Sequence, residues 1–131
     1  MATQRYIRVG LVMVVAVIAA ALLPMIGASR EADPVREVRL VVRDMTYYLD
    51  GQDQPNPRLR LRAGERVKLV LRNDDEGMQH DFRVRAWDIG TDVIDGKGER
   101  ETTFRVPVQV GVEEYSCTPH PSSMRGVIEI E

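Results

Sequence analysis

The sequence predicts an all-β domain, a Greek-key β-sandwich or barrel, preceded by one N-terminal hydrophobic helix. Three observations carry that reading. Apolar and charged residues alternate with period two through most of the chain after residue 36. Gly, Pro, Asn and Asp clusters interrupt that alternation at short intervals, as turns between short strands do. Apart from the first 28 residues, no stretch keeps a helical period.

Taken in order, Val38, Leu40 and Val42 alternate with Arg39, Val41 and Arg43. The run 51–57 (GQDQPNP) reads as a loop, and Leu59 and Leu61 then alternate with Arg58, Arg60 and Arg62. Ala63-Gly64-Glu65 reads as a turn. Val67, Leu69 and Leu71 follow, alternating with charged residues, so that Arg58, Arg60, Arg62, Arg66, Lys68 and Arg72 form the solvated face of a hairpin. Asp74-Asp75-Glu76 reads as a solvated acidic loop. Phe82 and Val84 continue the pattern. Asp88 to Arg100, with Gly90, Gly96 and Gly98, is a polar, Gly-containing stretch. Phe104 and Val106, then Tyr115 and Cys117, then Val127, Ile128 and Ile130 complete six to eight short strands. Each buries one face, which is why the pattern alternates. Trp87 reads as packing.

Length and composition set the outer limits. The 131 residues suffice for one domain. Residues 1–28 read as a signal peptide or a transmembrane anchor, 29–36 as a linker, and 37–131 as the folded domain. Arg5 and Arg8 precede an uncharged apolar run, Val9 to Ala28. At roughly 20 residues it is long enough to span a bilayer, and its basic start and small-residue end also suit a secretory leader. Either way the domain is expected outside the cytoplasm, in the periplasm or on the outer face of the membrane, anchored through residues 9–28 or secreted. The net charge of −2 provides no clustered basic surface for nucleic acid. The single cysteine forbids an internal disulfide, and a lone thiol in an oxidising compartment is a liability unless something occupies it.

The chemistry-bearing residues gather near the C-terminus, in Cys117-Thr-Pro-His120-Pro-Ser-Ser-Met124, between two strand-like runs. A thiolate, an imidazole and a thioether lie within eight residues. His80 upstream supplies a second imidazole. The chain contains two histidines and one cysteine, and this set uses all three. One Cys, two His and a weak axial Met form the donor set of a mononuclear blue copper site. His80, Cys117, His120 and Met124 are therefore the expected metal ligands, with one copper per chain. Pro119 and Pro121 restrict the backbone on both sides of His120.

These motifs resemble those of the cupredoxins, small type 1 blue copper proteins, and in particular the amicyanin and plastocyanin group. The resemblance lies in Tyr115-Ser-Cys117-Thr-Pro119-His120, then Met124-Arg-Gly126, together with the upstream run from Arg62 through Ala-Gly64-Glu to Asn73 and then His80. It covers roughly residues 36 to 131. It implies an electron carrier cycling between Cu(II) and Cu(I), working as a monomeric domain with redox partner proteins as donor and acceptor. It also implies His120 as the electron exit, Met124 as the weak ligand that tunes potential, and no enzymatic activity. Three residues separate His120 from Met124, between the two of amicyanin and the four of plastocyanin. Ser116 stands where plastocyanin has a Tyr. Asp81 stands where the family usually has Asn; an ionised carboxylate only accepts hydrogen bonds. It is expected to accept from the Thr118 N–H, tying the two ligand loops together. The alternative from another class is an exported copper-delivery protein without a redox role. Such proteins gather Met and His in open clusters, whereas Met45, Met78 and Met124 are scattered here.

Overall fold

Strands that bury one face each must stack two sheets against a shared core. A computed structural model, which describes residues 33–131, has that architecture. One sheet takes the order β2-β1-β4-β9, from β1 (Val35–Arg43), β2 (Thr46–Leu49), β4 (Arg66–Asn73) and β9 (Gly98–Arg105). The other takes the order β3-β11-β10-β6-β7, from β3 (Leu59–Leu61), β11 (Arg125–Ile130), β10 (Gly111–Ser116), β6 (Arg83–Val84) and β7 (Ile89–Gly90). A two-strand ribbon of β5 (Gln79–His80) and β8 (Ile94–Asp95) lies apart from both. The single helical element among the described residues is one 3-10 turn, Arg85–Trp87.

The alternation read from the sequence is the alternation of burial. Val38, Leu40 and Val42 of β1, Val67, Leu69 and Leu71 of β4, and Leu59 and Leu61 of β3 all join one buried cluster with Phe82, Tyr115 and Ile128. Each such side chain contributes roughly 1.5–3 kcal/mol on leaving water. Tyr115 sits at the centre. Its ring stacks on Phe82 at 5.3 Å and meets Tyr47 edge-on at 5.3 Å. Its hydroxyl donates to the Pro57 carbonyl at 2.6 Å, so the burial leaves no polar atom stranded.

Several expectations are corrected. The run 58–72 is not a hairpin. β3 lies parallel to β11 in one sheet, and β4 lies between β1 and β9 in the other, so the turn at 63–64 is a crossover between sheets. The basic stripe is thereby divided: Arg58 and Arg60 lie near Glu129, while Lys68 pairs with Glu101. The polar stretch 88–100 contributes strands of its own. It holds β7, β8 and the start of β9, whose Glu99, Arg100 and Glu101 are exposed because β9 is an edge strand. Gly98 to Thr103 bury no side chain, so the alternation of β9 begins only at Phe104. β1 starts at Val35, and Val35 and Arg36 pair with Arg66 and Val67. The N-terminal hydrophobic helix, the 1–28 leader and residues 29–32 of the linker lie outside the described residues. Among the described residues no helix is long and apolar enough to cross a membrane.

One pairing fixes how closely the sheet can be covered. Tyr115 and Gly126 face each other in register on β10 and β11, and a Cβ at Gly126 would run into the Tyr115 ring. Gly126→Ala is expected to destabilise the protein by about 1–3 kcal/mol, the usual cost of overpacking, measured by urea denaturation. Unchanged stability would mean that the ring does not lie across that strand.

Candidate metal centre

Strands that end together at one edge of a sandwich carry their following loops to the same place. β10 ends at Ser116 and β11 begins at Arg125, and the segment between them is 117–124. The Cys117 N–H donates to the Met124 carbonyl at 2.9 Å, which continues the β10–β11 ladder by one bond and closes the loop. Inside it, the His120 N–H donates to the Cys117 carbonyl at 3.2 Å and the Met124 N–H to the His120 carbonyl at 3.0 Å. The three functional residues of this loop are thus joined through their own backbone. Cys117 and Met124 are fully buried, and His120 is half-buried between the exposed Pro119 and Pro121.

The other imidazole arrives on the β5–β8 ribbon, which the chain reaches after leaving the opposite sheet at β4. β4 ends at the buried Asn73, whose amide donates to the carbonyls of Met78 at 3.0 Å and Gly96 at 2.8 Å. Its side-chain oxygen accepts from the Asp75 N–H at 3.0 Å. One side chain therefore shapes the whole 74–79 loop. His80 comes seven residues after the end of β4. It lies within β5, paired with Ile94, and is fully buried.

The two loops bring three donors together. His80, Cys117 and His120 place their ligand atoms within 4.8 Å of one another. Nδ1 of each ring lies 3.7 Å from the Cys117 sulfur, and the ring centroids are 5.0 Å apart. Metal bonds of about 2.3 Å to sulfur and about 2.0 Å to nitrogen, the zinc values, at tetrahedral to trigonal angles span S···N separations of about 3.5–3.7 Å. Both S···N edges therefore have the dimensions of a first-row metal site. Met124, held by the Cys117 and His120 backbone, adds a buried thioether to the same loop. A thiolate, two imidazoles and a thioether form a set compatible with copper.

Electrostatics prepare the same site. Burial pushes the Cys117 thiol up, so metal binding must displace its proton. Burial also pushes His80 below its ordinary value, against an opposing pull from Asp75. A neutral imidazole keeps a lone pair for a ligand.

The expected bond from Thr118 to Asp81 is present. The Thr118 N–H donates to the buried Asp81 carboxylate at 2.6 Å, across the two ligand loops. The Asp81 carbonyl in turn accepts from the Tyr47 hydroxyl. Two contacts were not visible in the sequence. Asp75, read as part of a solvated acidic run, is turned inward and lies 3.1 Å from Nε2 of His80. Asn56 donates to the Ser123 carbonyl at 3.2 Å, fastening the ligand loop to the 51–57 loop. An Asn in a Pro-rich loop gives no signal of such a role beyond its tolerance of positive φ, here 46°.

No family model matches the sequence, and no curated protein matches it. Solved structures do match the fold. Auracyanin A, a blue copper protein from the green thermophilic photosynthetic bacterium Chloroflexus aurantiacus, aligns with a TM-score of 0.57 at 15% identity, over 75% of this chain and 100% of that one. Reduced rusticyanin aligns with a TM-score of 0.55 at 20% identity, over 74% of this chain and 79% of that one. Fet3p, a multicopper oxidase that functions in iron import, aligns with a TM-score of 0.58 at 18% identity, over 75% of this chain but 23% of that one. Auracyanin A and rusticyanin are cupredoxins, and the described residues have the cupredoxin fold.

The Asp81 bridge yields a direct test. Asp81→Ala removes the acceptor and is expected to cost about 1.5–3 kcal/mol, the range for hydrogen bonds to charged groups. Asp81→Asn keeps a side-chain oxygen there and is expected to cost less. Urea denaturation of both variants decides it, and equal losses would remove the bridge from the account.

Proposed function

We propose that this chain is a mononuclear blue copper electron carrier. The observation that supports it is the donor triangle of His80, Cys117 and His120, with Met124 on the same closed loop. Bound copper would supply one-electron chemistry, alternating between Cu(II) and Cu(I). The protein's part is to hold the donors. Cys117 would hold the metal through its thiolate, His80 and His120 through Nδ1, and Met124 through a weaker thioether donor that would tune the potential. The backbone bonds within 117–124 and the Asp81–Thr118 bridge keep these groups in place, so little rearrangement would accompany electron transfer.

Electrons would pass through His120. It is the one imidazole of the pair with surface exposure, flanked by exposed Pro119 and Pro121, with Met78 half-buried. A small apolar rim suits brief encounters with redox partners better than a large interface. The apolar run 9–28 supports export of the domain, held at the membrane or released. Fully buried Cys117 and His80 speak against a copper-delivery role, which needs donors open to exchange. An enzyme of the multicopper kind needs further copper ligands, and the chain's two histidines and one cysteine are already used in this site.

Loading the protein with Cu(II) is expected to give an intense visible thiolate-to-copper band. Cys117→Ser is expected to abolish it. Met124→Leu is expected to keep the colour and raise the reduction potential, because a donor that favours Cu(II) is lost. A colourless wild-type complex, or a Cys117→Ser variant that stays blue, would overturn the reading.

A further inference from the structure

Three consecutive acids, Asp74, Asp75 and Glu76, have different fates. Asp74 pairs with Arg72 at 3.0 Å, and Glu76 lies exposed near Lys97 at 3.9 Å. Asp75 alone is turned inward, its side chain 14% exposed. Its carboxylate accepts from two backbone N–H groups, Asp44 at 2.7 Å and Met45 at 2.8 Å, and faces Nε2 of His80 at 3.1 Å. Among the described residues no Lys or Arg pairs with it.

The two backbone donors come from an unusual turn. Arg43 pairs with Thr46, so Asp44 and Met45 form the two-residue connection of the β1–β2 hairpin. Their φ angles are 50° and 54°, the sign pattern of a type I′ turn. Such turns prefer Asn-Gly or Asp-Gly, and Met is poorly suited to positive φ. Backbone strain of this sort persists where surrounding contacts over-determine it. Here the Asp75 carboxylate holds both turn N–H groups, and the Met45 side chain packs against the core.

We propose that Asp75 is the positioning residue for His80, and that the strained Asp44–Met45 turn is the clamp that holds Asp75. The inference rests on the proposed copper site and identifies what orients its buried imidazole. An ionised carboxylate only accepts, so the atom facing it must be Nε2–H. That fixes the tautomer and leaves the Nδ1 lone pair aimed at Cys117, 3.7 Å away. A carboxylate behind a metal-bound imidazole also raises the ligand's basicity. Its charge sits where it favours the more positive metal state and so lowers the reduction potential. The β1–β2 hairpin, distant in sequence from every proposed ligand, thereby becomes part of the site.

The first measurement needs no metal. Long-range proton–nitrogen NMR of the metal-free, full-length protein is expected to show His80 as the Nε2–H tautomer; an Nδ1–H tautomer overturns the proposal. Inserting a glycine between Asp44 and Met45 is expected to mix the two tautomers, and an unchanged tautomer would remove the turn's role. The copper-loaded protein provides the second measurement. Asp75→Ala is expected to weaken copper binding about 10–100-fold. Asp75→Asn, nearly isosteric, is expected to raise the reduction potential while keeping the visible spectrum; an unchanged potential would remove the charge role. If wild-type protein fails to form a blue complex while His80 still holds the Nε2–H tautomer, the copper reading falls and the positioning of His80 by Asp75 stands.

Discussion

The bond from the Thr118 N–H to the Asp81 carboxylate joins the two halves of the site. Asp81 follows His80 and Thr118 follows Cys117, so a single 2.6 Å contact fixes the distance between ligands that come from different loops. Its carboxylate is buried, where a hydrogen bond to a charged group is worth most and its loss leaves the largest penalty. The Tyr47 hydroxyl holds the Asp81 main chain from the core side, and Tyr47 packs on Tyr115 at the centre of the sandwich. Packing in the core is thus connected, contact by contact, to the spacing of the donor atoms.

The remaining supports act on one loop at a time. Asn73 shapes the loop that delivers His80. Asn56 fastens the loop that carries Cys117, His120 and Met124. Both take main-chain carbonyls and amides that would otherwise need water, and so leave each loop few alternatives. Among the described residues no buried side-chain nitrogen or oxygen lacks a partner. Donors held by the protein's own hydrogen bonds would need little reorganisation when an electron arrives. That is how the fold would serve the proposed electron transfer.

The parts legible in the sequence were those whose signal is carried by residue type. Period-two burial marks strands because each face meets a different solvent, and Leu59, Leu61, Val67, Leu69 and Leu71 all lie where the pattern placed them. The donor set stood out because cysteine and histidine are scarce here and lie at the spacing of a metal loop. What stayed hidden depends on partners far away in sequence. Ala63-Gly64-Glu65 looks the same whether it closes a hairpin or crosses between sheets, and only the pairing of β3 with β11 separates the two. The first residues of β9, Gly98 to Thr103, bury no side chain and so carry no alternation. Asp75 is one acid among three, and its inward turn follows from N–H groups some thirty residues earlier.

Crystal structures of the protein, metal-free and loaded with copper, test most directly whether the fold alone presets the site. In both, each Nδ1 of His80 and His120 is expected to lie close to the present 3.7 Å from the Cys117 sulfur, with the Asp81–Thr118 bond intact. A metal-free structure in which a ring has swung away, or the 117–124 loop has rearranged, would show that the metal builds the site and would contradict a preset one.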